Sequence, residues 1–346
     1  MDTLTILRPD DWHVHLRDGA ALASVVRFTA ERFGRAIVMP NLKPPIATTA
    51  LAAAYLSRIR AALPAASGFV PLMTLYLTDT TPPDEIDRAA ASGIVHGVKL
   101  YPAGATTHSD AGVTDIRETY AVLDRMQELG VPLLVHGETA RTDVDVFDRE
   151  TYFIDELLAP LVERFPGLKV VFEHITTARA VEFVSGARAS VAATITPQHL
   201  LHNRNAIFAG GIRPHYYCLP ILKRERDREA LVAAATGGSP RFFLGTDSAP
   251  HERLTKEHAC GCAGMFTAHA AIELYAEIFD QAGRLDRLEG FASRHGADFY
   301  ELPHHAERIT LIKEAWSPPA FYEFAGGSVV PYRAGESIAW RLAAAR

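Results

Sequence analysis

Residues 169–174 read KVVFEH. An apolar run closes on two polar residues. A strand that is apolar on both faces is buried on both, as in a parallel sheet covered by helices. The same form recurs in WHVHL (12–16), RAIVM (35–39), FVPLMTLYL (69–77), IVHGVKLY (94–101), PLLVH (132–136), VAATIT (191–196) and RFFLGTD (241–247). Longer segments of helical character lie between these runs. In DIRETYAVLDRMQELG (115–130), Asp115 is a candidate N-cap with Glu118 three positions on. Ile116, Tyr120, Leu123, Met126 and Leu129 form one apolar stripe, and Gly130 suits the residue that ends it. Residues 48–63 and 263–279 read as helices in the same way.

Eight strands alternating with helices predict an α/β fold, a (β/α)₈ barrel of the TIM type. An open doubly wound sheet is the alternative. Its dinucleotide-binding form has no support, because no G-x-G-x-x-G follows an early strand. The expected organisation is one domain over 1–346, with the barrel at about 10–303 and a short irregular or β-rich C-terminal tail at about 304–346.

The chain has 346 residues, of which 48% are hydrophobic and 22% charged, an ordinary globular composition. The net charge is −6 and no Lys/Arg block stands out, so the electrostatic footprint of a nucleic-acid binder is missing. An anionic substrate would have to be captured by local cations. Three cysteines, Cys218, Cys260 and Cys262, are too few and odd in number for a disulfide framework. They read as reduced, non-ligand residues in a cytoplasmic setting. The first residues, MDTLTILRPD, lack the pattern of a signal peptide, and no apolar run reaches the roughly 18 residues of a membrane span.

In DWHVHLRDG (11–19), His13, His15 and Arg17 share one face if the extended conformation persists. Alone, an H-x-H is as easily a solvated strand face as a ligand pair. The other strand ends decide. Lys99, His136, His174 and Asp247 each stand near the C-terminal end of an apolar run. In a barrel these ends converge on one mouth. Buried imidazole and charged groups are costly unless paired or bound to metal. Four histidines and an aspartate suit a borderline metal such as zinc. Lys99 is the odd member, since its ammonium would repel cations. Burial favours the neutral amine, which can add carbon dioxide to form a carbamate able to bridge two cations. A salt bridge to Asp247 is the plainer alternative. His199, His202 and His215 read as packing or supporting residues, and His304 and His305 as part of a surface tail. Asp18 and Glu138 read as groups that orient ligands.

The stretches DWHVHLRDG, RAIVMPNLKPP, GVKLYPAGATT, LLVHGE, VFEHITT, ATITPQHL, RPHYYCLPILK and LGTDSAPH, with Lys256 and CGCAG beyond it, together resemble the single-function bacterial dihydroorotases of the amidohydrolase superfamily. The resemblance runs in order from about residue 6 to 303. It implies a (β/α)₈ barrel holding two zinc ions per subunit, bridged by carboxylated Lys99 and a hydroxide. His13 and His15 would bind one zinc with Asp247, and His136 and His174 the other. Arg17, Asn41 and His251 would hold the substrate carboxylate. His136 and the backbone at Leu219 and Ala263 would also contact substrate, and Thr106 and Thr107 would lie on a loop that closes over it. Gly104 departs from the asparagine common in that loop. The implied reaction is reversible, zinc-dependent cyclisation of N-carbamoyl-L-aspartate to L-dihydroorotate in pyrimidine biosynthesis, with Asp247 as proton shuttle. The implied assembly is a cytoplasmic homodimer. Two other readings stay open: a related cyclic amidohydrolase or deaminase with another substrate, and a non-catalytic scaffold barrel.

Overall fold

The computed structural model describes residues 2–344 apart from 66 and 260, so Cys260 lies outside the described residues. All eight apolar runs form strands. After β1 (Thr3–Leu7) come β2 (Asp10–Val14), β3 (Arg35–Val38), β4 (Val70–Tyr76) and β5 (Val95–Leu100). Then follow β6 (Leu133–Val135), β7 (Val170–Phe172), β8 (Val191–Ile195) and β9 (Phe242–Leu244). Strands β2 to β9 pair in chain order, and every pair is parallel. The barrel closes just beyond β9. Ser248 bridges Val14 in parallel, the His15 amide donates to the Ser248 carbonyl at 3.0 Å, and the Asp247 amide donates to the His13 carbonyl at 2.9 Å. The Asp11 carboxylate reinforces this seam by accepting from the Thr246 amide at 2.9 Å and hydroxyl at 2.6 Å.

Strand alternation sorts the core. Val98, Leu100, Leu133, Val135, Val170 and Phe172 join the layer packed against the surrounding helices. Their neighbours Leu134 and Val171 fill the barrel interior with Ile37, Leu72, Ala192, Phe243 and Trp12. Burying each large side chain of this kind contributes about 2 kcal/mol. Trp12 stacks on Tyr300 at 4.7 Å with the planes 7° apart, closing the floor. Lys99, out of register with Val98 and Leu100, faces inward.

The helical readings hold with changed limits. Residues 48–63 give the helix Thr49–Ala62, capped by the Thr48 hydroxyl. Residues 115–130 split into a 3₁₀ turn, Ile116–Thr119, and a helix, Tyr120–Leu129. The Asp115 carboxylate caps Arg117 rather than forming a box with Glu118. Gly130 ends the helix at φ +69°. In 263–279 the helix begins only at Ala271, after a 3₁₀ turn at Ala268–Ala270. Residues before it are drawn into pairing: Met265 bridges Ser248, and its carbonyl accepts from the Ala249 amide at 2.7 Å. Backbone hydrogen bonding to the barrel seam outweighs the local helical period there.

The C-terminal segment adds β10 (Arg308–Ile312), β11 (Tyr322–Phe324), β12 (Gly327–Val329) and β13 (Arg341–Leu342). β10 pairs antiparallel with both β1 and β13, while β11 and β12 form a hairpin. His305 is not a loose surface residue. Its Nε2 lies 2.7 Å from the buried Asp10 carboxylate, which also takes two hydrogen bonds from Arg35. No helix among the described residues is long and apolar enough to cross a membrane.

Candidate active site

Each of the four strand-end histidines has a ring nitrogen held by a neighbour, three of them by a carboxylate or amide oxygen. His13, on β2, donates Nδ1 to Glu173 at 2.8 Å, and the Thr194 hydroxyl donates to the same Glu173 oxygen at 2.6 Å. His15 meets the Asn41 carbonyl oxygen through Nδ1 at 2.8 Å. His136 meets Glu138 through Nε2 at 3.1 Å, so Glu138 does orient a strand-end ring. The remaining nitrogens converge. His13 Nε2 and His15 Nε2 lie 3.4 and 3.1 Å from one Asp247 oxygen. His136 Nδ1 and His174 Nε2 lie 3.2 Å apart. The His13 and His174 rings stand 4.9 Å apart, which joins the two pairs into one group. Fixing one ring nitrogen leaves the other as a lone-pair donor, the pattern of metal-binding histidines.

Lys99 sits at the centre of this group, fully buried, and its Nζ has no hydrogen-bond partner. Burial pushes its amine down to about 8, against the opposing pull of Glu173 and Asp247. Asp247 feels the reverse balance. Burial alone would raise its carboxyl, but the His15 hydrogen bond and the positive potential of His13, His15 and Lys99 hold it below the ordinary value. Burial carries Glu173 up to about 7. His13 Nε2 is also buried without a partner. Orphaned buried nitrogens are costly in a finished core. They fit a cation: His13, His15 and Asp247 alone offer two nitrogens and an oxygen within 4.8 Å of one another. His174 and Asp247 hold φ at +41° and +44°, a strained backbone that places both side chains at the mouth.

The other wall carries positive charge. The strand ends at Val14, and Arg17 turns away at φ +61°, so it reaches the mouth by a left-handed turn and not by strand alternation. Its Nε donates to the Pro250 carbonyl at 2.8 Å, and Nη2 lies 3.0 Å from His251 Nε2. The same His251 nitrogen lies 3.0 Å from the Ala263 carbonyl. Asn41 is engaged twice, with its oxygen on His15 and its amide nitrogen donating to the Thr107 carbonyl at 3.3 Å. The Thr107 hydroxyl reaches the Ala263 carbonyl at 3.5 Å, so the loop lies across the mouth. Gly104 holds φ +76°, a conformation asparagine also tolerates, so the departure at this position keeps the loop's backbone within reach of either residue.

These groups line one cavity: His15, Arg17, Asn41, Thr106, Thr107, His136, His174, Leu219, Asp247 and Ala263 are all on its wall. His251, His13 and Lys99 are not on that wall: His251 contacts Arg17 and Ala263, which are, and His13 and Lys99 are buried. Asp18 belongs elsewhere. It caps the helix Gly19–Arg32 and pairs with Arg58 at 2.8 Å, because its side chain follows the left-handed turn out of the barrel. His199 is buried between the Thr196 hydroxyl at 2.7 Å and the Pro220 carbonyl at 2.9 Å. His202 bonds Tyr332, and His215 bonds Glu257 at 3.0 Å. Cys218 is a free buried thiol and Cys262 a free, half-buried one. Three residues of the site have no role assigned from the sequence, although all three stand in the stretches that carry the resemblance. Glu173 orients His13, Tyr101 presents a buried hydroxyl without a partner on the cavity wall, and Lys256 lies behind Ala263. A second polar residue beside His174 at the close of the run 169–174 is the signal that could have drawn Glu173 out.

Known proteins resemble this chain along most of its length. The amidohydrolase family matches residues 10–317. The dihydroorotase of Methylobacillus flagellatus is 67% identical over 340 residues, covering 98% of this chain and 99% of that protein. That of Azoarcus sp. is 66% identical over 344 residues, covering 99% of this chain and all of that protein. Among solved structures, dihydroorotase from Campylobacter jejuni superposes with a TM-score of 0.90 at 36% identity over 99% of this chain and 97% of that one. Dihydroorotase from Saccharomyces cerevisiae in complex with 5-fluoroorotic acid gives 0.92 at 33%, over 99% of both chains. The L-hydantoinase of Arthrobacter aurescens, at 15% identity and a TM-score of 0.77, shares the fold. Matched by the amidohydrolase family over residues 10–317 and closely similar in sequence to dihydroorotases along almost its whole length, this protein belongs to the amidohydrolase family and, within it, to the dihydroorotases.

Proposed function

We propose that the chain catalyses the reversible, zinc-dependent cyclisation of N-carbamoyl-L-aspartate to L-dihydroorotate, a step of pyrimidine biosynthesis. The observation that carries this reading is the division of one cavity: metal-type donors on one wall and the Arg17 guanidinium on the other. A cyclic amide bearing a carboxylate needs both. An uncharged hydantoin or dihydropyrimidine gives Arg17 nothing to bind, and a scaffold has no use for orphaned nitrogens.

His13, His15 and Asp247 would hold one zinc and His136 with His174 a second. Lys99, its nitrogen adding carbon dioxide and losing a proton, would bridge them. The missing partner at its Nζ supports that assignment. Two zinc ions supply a water acidified toward neutrality and a Lewis acid for the ring carbonyl. The rest is the work of side chains. Arg17 grips the carboxylate through donors that Pro250 and His251 leave free, in the bidentate manner open to a guanidinium. Asn41 serves by fixing the His15 ring and latching Thr107, and it contributes to the anion wall from there. Asp247, kept ionised by its histidine neighbours, takes the proton of the attacking water and delivers it to the leaving amide nitrogen. Thr106 and Thr107 cover the mouth and exclude bulk water.

The test is turnover of L-dihydroorotate by purified protein, followed by ultraviolet absorbance, with zinc measured in the same sample. The homodimeric state that accompanies this reading is checked by light scattering on that sample.

A further inference from the structure

The ammonium of Lys256 is buried, at 4% exposure, and among the described residues it forms no ion pair. Its hydrogen-bond partners among those residues are all backbone carbonyls. It donates to the Tyr217 carbonyl at 3.0 Å, the Cys262 carbonyl at 2.8 Å and the Gly264 carbonyl at 2.6 Å. A lysine is rarely buried without a charged partner. Three carbonyls aimed at one ammonium form a built site, and they come from two separate loops. The Tyr217 carbonyl also accepts from the Gly264 amide at 3.1 Å, so the two loops are tied twice at one point.

The tied segments are those that face the cavity. Ala263 lies between two of the carbonyls that Lys256 holds, and Leu219 lies two residues beyond the third. Both line the cavity. The Ala263 carbonyl is in turn the point where His251 and Thr107 meet, at 3.0 and 3.5 Å. Gly264, at φ +148°, packs so closely that an added Cβ would lie 2.5 Å from the Ala249 carbonyl. This wall has no regular secondary structure of its own to hold it.

We propose that Lys256 is a positioning residue for the reaction: its ammonium pins the 217–219 and 262–264 backbones together and so fixes the wall on which the substrate ring rests. Without it, three carbonyls facing one another would repel, the two loops would part, and the ring would lose its backbone contacts while the metal ligands stayed in place. This inference rests on the dihydroorotase reading for the identity of the ring.

The experiment compares wild-type, Lys256→Met and Lys256→Arg proteins, each loaded with zinc. Backbone amide exchange is followed across 262–264, binding of 5-fluoroorotate by calorimetry, and KM and kcat with L-dihydroorotate. For Lys256→Met, exchange should quicken, and both the 5-fluoroorotate Kd and KM should rise about tenfold, with kcat within about threefold and zinc content unchanged. Lys256→Arg keeps donors at this point and should recover part of the affinity. If Lys256→Met does not fold, Lys256→Gln takes its place with the same expectation in smaller degree. Unchanged exchange overturns the proposal. So does quickened exchange with Kd and KM within about twofold of wild type, or a fall confined to kcat and zinc content. A wild-type protein that does not turn over L-dihydroorotate overturns the functional reading instead, and the exchange data still decide whether Lys256 ties the loops.

Discussion

His13 Nδ1 and Glu173 Oε2 lie 2.8 Å apart in a part of the barrel that water does not reach, with both side chains at most 1% exposed. The carboxylate holds the ring in one tautomer, and Nε2 is left bare toward Asp247. A carboxylate that does not line the cavity therefore governs a nitrogen assigned, in the proposed reading, to metal. Glu173→Gln should lower zinc affinity by about 10- to 100-fold while leaving the fold intact. Competition with a chromophoric chelator measures this, and unchanged affinity would show that the His13 ring is fixed by other means.

Arg17 makes a separable prediction. It contacts Pro250 and His251, and no metal-type donor. Arg17→Met should raise KM for dihydroorotate about 30-fold or more, the cost of losing a charged hydrogen-bond partner in a partly buried site. Zinc content should be unchanged. A normal KM would remove Arg17 from the anion wall.

Lys99→Ala should reduce turnover by about a thousandfold or more, because in the proposed reading its carbamate bridges the two cations. Partial recovery with a short carboxylic acid in the buffer is expected, since the acid can occupy the space of the carbamate. An active Lys99→Ala protein without added acid would overturn the bridging role.

Acid should weaken the fold through histidines outside the metal group. Burial holds His202 down at about 4 and His269 at about 3, against an ordinary 6.5. Both are neutral when folded and take up a proton when unfolded below pH 6.5. The unfolded state thus binds more protons as pH falls from 6.5 to 4, and stability drops across that window. Each such group contributes a slope of about 1.4 kcal/mol per pH unit. Denaturant melts of wild type and His202→Gln, both with chelator present, should differ in slope by one proton. Equal slopes would contradict the assignment.

Much of the barrel could be read from the chain because each strand is a short apolar run, buried on both faces. The polar residue that ends a run marks the mouth, as His136, His174 and Asp247 do. What hydrophobic pattern does not report is where the backbone turns. Alternation put Arg17 on the face of His13 and His15, yet the strand stops at Val14 and a left-handed turn carries Arg17 to the mouth. The same turn takes Asp18 away from the site to cap a helix. Pattern also fails where long-range pairing overrides it, as in 263–267, drawn off a helical period by the seam at Ser248. Glu173 and Lys256 were illegible for another reason. Glu173 is a charge satisfied by groups distant in sequence, 160 residues away for His13, and Lys256 is satisfied by the backbone carbonyls of Tyr217, Cys262 and Gly264, which no side-chain pattern reports.

The central claim is that one cavity joins a two-metal group to a carboxylate clamp and thereby opens and closes a cyclic amide. The most direct test is a single titration: L-dihydroorotate hydrolysis measured by ultraviolet absorbance as zinc is removed with a chelator and then restored, with metal counted at each point. The account predicts about two zinc ions per chain, activity that falls to background on chelation, and its return in step with metal. Hydrolysis that persists in metal-free protein, or a fully loaded protein that leaves dihydroorotate untouched, would contradict it.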